Sequence, residues 1–149
     1  LASSSFRRFT VVRDPATRVL SSYLEKIVQG LKQSESIAMT LGISASEITF
    51  EQFLDVIDEQ PSREQDPHWR RQADHLGWGI IDYIAAIHLE HLDSSWDQVA
   101  DLTGIPDLRE TFYCKNSTGA SAKIEEYFTP ELRTKVARIY QGDYSAFGY

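Results

Sequence analysis

The segment that most constrains the fold lies near the start of the chain: Phe9-Thr-Val-Val-Arg-Asp-Pro15, followed by apolar residues at helical spacing. Phe9, Thr10, Val11 and Val12 are aromatic or β-branched and read as the end of a buried strand. Asp14 suits an N-cap and Pro15 the first helical position, where a missing N–H costs nothing. Ala16, Val19, Leu20, Tyr23, Leu24 and Ile27 then mark one face of a helix that Gly30 closes. Residues 6–30 are therefore expected to form a strand–turn–helix unit.

The rest of the chain continues the alternation. The Ser-rich stretch Gln33 to Ser46 reads as a loop carrying at most one helical turn. Thr49 to Gln52 fits a capping box, and Phe50, Phe53, Leu54 and Ile57 stripe a short helix ended by Pro61. Ile80 to Leu89 reads as a second strand, and Asp93 to Leu102 as a helix capped by Asp93 and stopped by Gly104. Thr129-Pro130 opens a last helix with Leu132, Val136, Ile139 and Tyr140 on one face, ended by Gly142. Strands alternating with helices predict an α/β fold, a parallel sheet flanked by helices.

Composition narrows the function classes. A length of 149 residues fits a single domain spanning 1–149, and 42% hydrophobic residues supply a core. The net charge of −7 opposes broad binding to nucleic acid while leaving room for a small basic pocket. One cysteine, Cys114, excludes an internal disulfide. No apolar run is long enough for a membrane span. The chain lacks an initiating Met and is expected to be a piece of something longer.

The chemistry concentrates where the first strand meets its helix. Ligands of open α/β sheets bind at the carboxyl ends of strands, and a helix N-terminus favours phosphate through its unpaired N–H groups. Arg13 would supply a bidentate charged contact there. Ser21, two turns along, would donate a hydroxyl, and Arg18 adds positive charge.

The pattern strand-Arg-Asp-Pro-x-x-Arg-x-x-Ser-x-Tyr resembles the 3′-phosphate-binding motif of the Golgi-type carbohydrate sulfotransferases, with bacterial-type members the nearest in kind. Further blocks follow in order. Asp66-Pro-His-Trp-Arg-Arg-Gln72 is similar to the family's His-Trp-x-Pro-Gln stretch, with Arg71 where Pro is usual. Ile81-Asp-Tyr-Ile84 with Leu89-Glu-His-Leu92, Asn116-Ser-Thr118, and the ending Tyr140 to Tyr149 match later blocks. The resemblance implies a P-loop-like, helix-rich fold and the donor 3′-phosphoadenosine-5′-phosphosulfate, its 3′-phosphate held by Arg13 and Ser21. It implies a carbohydrate or other hydroxyl acceptor and no metal. It also implies an earlier motif gripping the 5′-phosphosulfate; nothing before Phe6 matches it, so an incomplete sulfotransferase domain is expected. The compartment would be the cytoplasm for a bacterial protein and the Golgi lumen for a eukaryotic one.

Other residues admit two readings. His68 suits a general base, since sulfuryl transfer to a hydroxyl removes a proton, or a loop hydrogen-bonding partner. Glu90 competes for the same role, or forms a structural salt bridge. His88 and His91 would point to opposite faces of a strand, which disfavours a metal site. Arg63, Arg70 and Arg71 form a solvated face or contact an anionic ligand. The aromatic tail is expected to be core. A non-catalytic nucleotide- or glycan-binding relative and a kinase-like phosphotransferase are the rival functions.

Overall fold

The computed structural model describes residues 7–111 and 118–149. The expected opening unit is present. Strand β1 (Phe9–Val12) leads into helix α1 (Pro15–Ser22), whose N-cap Asp14 accepts the Thr17 N–H at 2.8 Å. The helix widens into one π-helical turn, Tyr23–Ile27, and the chain leaves it through Gly30 at φ 65°.

The Ser-rich stretch departs from expectation: it contains a full helix, α2 (Lys32–Leu41), ended by Gly42 at φ 67°. Ser34 does not break it, because its hydroxyl donates to the Leu31 carbonyl at the first turn. Ile37 and Ala38 are buried against the rest of the core, which outweighs the weak local pattern. Helix α3 (Phe50–Glu59) begins with the expected capping box, Thr49 and Gln52 each accepting the other's backbone N–H.

A five-residue helix, α4 (Gln72–Leu76), precedes the second strand, which is shorter than expected. Strand β2 is only Ala85–His88. Gly77 and Gly79, both at positive φ, turn the chain before it, and Ile80 stands 88% exposed. The two strands pair in parallel, Phe9 opposite Ala85 and Val12 opposite His88, with α1 to α4 forming the crossover. Asp93 does not cap the next helix. It lies in a 3₁₀ turn (Leu89–Ser94), and α5 (Trp96–Thr103) starts after Ser95. That turn is held by the Ser94 and Ser95 hydroxyls, both donating to the His91 carbonyl.

Short helix α6 (Leu108–Thr111) and helix α7 (Ala120–Tyr127) precede α8 (Pro130–Ile139), which Thr129 caps. Gly142 does not end the chain's helical part. The backbone turns a corner at Tyr140 and continues as α9 (Gln141–Phe147), with Gly142 inside it and Gly148 as the stop. The main core is helical: Val19 and Leu20 from α1, Phe53, Leu54 and Ile57 from α3, Val136 and Ile139 from α8, and Tyr140 at the corner that follows are almost fully buried. The fold is therefore helix-rich, with a small two-stranded parallel sheet among the described residues.

Candidate active site at the strand–helix junction

Arg13 leaves the end of β1, and its backbone is locked by a side chain 59 residues away. The Gln72 amide accepts the Arg13 N–H at 2.9 Å and donates to the Arg13 carbonyl at 2.8 Å. This fixes the backbone from which the guanidinium projects. Among the described residues that guanidinium has no hydrogen-bond or ion-pair partner, which leaves its fork of donors available to a ligand.

Gln72 is itself anchored. Asp143, fully buried on α9, accepts the backbone N–H groups of Gln72 and Ala73, each at 2.8 Å. A carboxylate thus satisfies the otherwise orphaned first N–H groups of α4. The same tail grips the loop at two further points. The Tyr140 hydroxyl donates to the Trp69 carbonyl at 2.6 Å, and Arg71 Nε donates to the Ile139 carbonyl at 2.6 Å. Burial first, with the Asp143 charge adding, pushes the Tyr140 hydroxyl well above the ordinary phenol range, so it remains a donor.

Arg18 works inward. Its guanidinium donates to the Arg70 carbonyl at 2.7 Å and the Pro67 carbonyl at 2.8 Å. Burial pulls its pKa below the ordinary value; Tyr140 and Asp143 oppose that, and the Arg13 charge adds to it. Ser22 Oγ donates to the His68 carbonyl at 2.7 Å. Helix α1 and the loop from Asp66 to Gln72 are therefore joined into one junction. Ser21, on the same helix, shares a 2.9 Å hydrogen bond with the Thr118 hydroxyl. Asn116 and Ser117, which precede Thr118, lie outside the described residues, as does Cys114.

His68 is exposed, and its Nδ1 lies 2.5 Å from Asp66 Oδ1, which also accepts the His68 backbone N–H at 2.9 Å. Partial burial raises the Asp66 pKa, but the His68 hydrogen bonds and charge and a Gln33 hydrogen bond outweigh it. The carboxyl stays below its ordinary range. Paired through Nδ1, the ring has Nε2 left for other chemistry. The neighbouring arginines are engaged elsewhere. Arg70 donates to the Arg63 and Gln65 carbonyls, and Arg71 also faces Asp74 at 3.7 Å.

Glu90 reaches the junction from the far end of β2. It accepts the Asp14 backbone N–H at 2.8 Å and the Tyr149 hydroxyl at 3.3 Å. His88 and His91 do not point apart. The chain curls into the 3₁₀ turn after His88, which brings the rings to 6.1 Å at 24°, and Tyr149 packs 4.5 Å from His88. Among the described residues, no group of three or more His, Cys, Asp or Glu side chains is arranged to hold a metal.

Gln72, Asp143, Thr118 and Asp66 were not singled out in the sequence as site residues. Only Asp66 carried a usable local signal, standing two residues before His68 in an Asp-x-His spacing that suits a turn.

The sulfotransferase family model matches residues 1–149, and the chain belongs to that family. No curated protein and no solved structure matches it. The family makes the chain an enzyme, a sulfotransferase. No helix among the described residues is long and apolar enough to cross a membrane.

Proposed function

We propose that the protein transfers a sulfuryl group from 3′-phosphoadenosine-5′-phosphosulfate to a carbohydrate hydroxyl within a P-loop-like α/β architecture. The observation that carries this reading is the Arg13 guanidinium, unpartnered among the described residues. It stands on a clamped backbone at the carboxyl end of a parallel strand and the start of a capped helix. Strand end and helix start suit an anionic ligand, and the free fork suits a phosphate bidentately.

In this reading Arg13 and the Ser21 hydroxyl hold the 3′-phosphate, with Thr118 orienting Ser21. Arg18 contributes its charge and fastens the His68 loop to the donor helix. The acceptor oxygen attacks sulfur in line, its new S–O bond forming as the S–O bond to the 5′-phosphate breaks. The nucleotide leaves as 3′-phosphoadenosine-5′-phosphate, and the acceptor proton passes to a base. His68 takes that proton at Nε2 while Asp66 holds Nδ1 and stabilises the imidazolium. Glu90, beside Asp14, is the second candidate because its carboxylate is already oriented by two donors. Most of the acceleration would come from positioning and charge stabilisation, as in other group transfers between oxygens.

Calorimetry tests the donor site. Arg13→Ala is expected to weaken binding of 3′-phosphoadenosine-5′-phosphate by about 1.5–3 kcal/mol, with a far smaller change for adenosine 5′-phosphate. Equal losses for both nucleotides would remove Arg13 from the role.

A further inference from the structure

The peptide that joins β1 to α1 is held at both of its ends by side chains. Its carbonyl belongs to Arg13 and accepts the Gln72 amide N–H at 2.8 Å; its N–H belongs to Asp14 and donates to Glu90 Oε1 at 2.8 Å. Register explains why a side chain serves the N–H. Val12 stands opposite His88 in the parallel pair, so Asp14 and Glu90 lie equally far past the last paired residues. The ladder would continue there, but the chain after His88 curls into its 3₁₀ turn, where backbone carbonyls serve the turn instead. The Glu90 carboxylate supplies the acceptor in their place.

Glu90 is held in turn from α9. Gly148, at φ 72°, caps that helix in the left-handed conformation. The Tyr149 ring that follows packs 4.5 Å from the His88 ring, and its hydroxyl donates to Glu90 Oε2 at 3.3 Å. Asp143, within the same helix, holds Gln72 by its backbone N–H. The segment from Asp143 to Tyr149 therefore reaches the Arg13–Asp14 peptide from both sides. Gln72 also accepts the Arg13 N–H at 2.9 Å. Both rigid peptide planes that flank the Arg13 Cα are thus set, and with them the direction in which its side chain leaves the backbone.

Charge sharpens the point. A carboxylate beside a phosphate site repels the ligand, so Glu90 opposes anion binding there unless holding the peptide outweighs that repulsion. We propose that Glu90 and Tyr149 are positioning residues of the donor site: Glu90 holds the Asp14 N–H, Tyr149 holds Glu90, and together they aim Arg13 at the 3′-phosphate. The proposal rests on the donor-site reading above. It is separate from any part Glu90 takes in proton removal, since a base acts on the acceptor hydroxyl and leaves donor affinity alone.

The test uses the chain itself, ¹⁵N-labelled for amide exchange, with 3′-phosphoadenosine-5′-phosphate and adenosine 5′-phosphate compared by calorimetry. Glu90→Ala, at an exposed position, is expected to speed exchange of the Asp14 amide proton. It should also weaken binding of the 3′-phosphorylated nucleotide at least about threefold, the share of one modest hydrogen bond, with adenosine 5′-phosphate little changed. Glu90→Gln keeps an acceptor and removes the charge, so it should rescue both readouts. Tyr149→Phe keeps the ring on His88 and loses only the hydroxyl. It should move both readouts in the direction of Glu90→Ala and add nothing in the Glu90→Ala background. Binding by Glu90→Ala as tight as wild type or tighter overturns the proposal, because the carboxylate then acts only by repulsion. So does a Glu90→Gln variant as weak as Glu90→Ala, or a Tyr149→Phe loss that persists in full without Glu90. A wild-type chain that binds both nucleotides equally sinks the donor-site reading and the positioning role with it. A preference for the 3′-phosphate that survives Glu90→Ala intact sinks the positioning role alone.

Discussion

The helical side of the molecule and its sheet side are built to different standards of closure. Around α1, α3 and α8, side chains such as Phe53, Leu54 and Ile57 are wholly buried, and rings meet edge to face, as Phe53 does with Trp69 at 5.3 Å. On the sheet side Val11 is 46% exposed and Ile84 52%. There β1, α5 and α6 leave an open groove lined by Phe9, Val11, Leu89, Leu92, Trp96, Val99 and Leu108. The candidate active site lies on the seam, with α1 belonging to the closed half and Glu90 arriving from the open one. A rigid half can hold Arg13, Ser21 and the His68 loop in register, while the other half contributes residues from a surface with little packing behind it.

The largest expected effect tests that contrast directly. Phe53→Ala should lower unfolding free energy by about 3–5 kcal/mol, the cost of removing a buried aromatic ring and leaving a cavity. Val11→Ala should cost under about 1 kcal/mol, since much of that side chain is already in water. Urea unfolding of both variants checks the pair, and similar losses would erase the distinction between the halves.

The next effect concerns the seam. Asp143→Ala leaves the buried Gln72 N–H and the partly buried Ala73 N–H without that acceptor, which should cost about 1–3 kcal/mol per group at most. If Asp143 also positions the site through Gln72, the variant's folded fraction should bind 3′-phosphoadenosine-5′-phosphate more weakly. Loss of stability with unchanged nucleotide affinity would confine Asp143 to a structural part.

The smallest effect is a pH dependence. The Asp66 pKa is lowered in the folded state from an ordinary value of 3.8. The unfolded chain therefore binds the proton first as pH falls. The stabilisation is fully present above that ordinary value and disappears as pH drops through the folded-state value. Asp66→Asn should flatten this acid limb and leave stability near neutrality little changed, because the pair is partly solvated. An acid limb identical in both proteins would show that the Asp66–His68 contact carries no net stabilisation.

Local chemistry made several elements legible. Asp14-Pro15, the Thr49 capping box and the β-branched run before Arg13 each act within one turn of the residues they name, so their reading needed no knowledge of the fold. Helix α2 was misread because its serines obscure a short apolar stripe whose stabilisation comes from packing. The second strand was overextended because Ile80, Ile81, Tyr83 and Ile84 have strand-like side chains yet follow two glycines that turn the chain before the sheet begins.

The sequence by itself determined the strand–turn–helix unit, and through it the placement of Arg13 after the strand end and of Ser21 two turns into the helix. Only the tertiary structure decided what holds them. Gln72 clamps Arg13 from 59 residues away, Asp143 holds Gln72 from 71, and Thr118 reaches Ser21 from 97. It likewise turned Arg18 inward onto two loop carbonyls and paired Asp66 with His68. A cap or a helical stripe is specified by neighbours within a few residues, whereas a hydrogen bond across the fold depends on where packing brings two distant segments, and no local period encodes that distance.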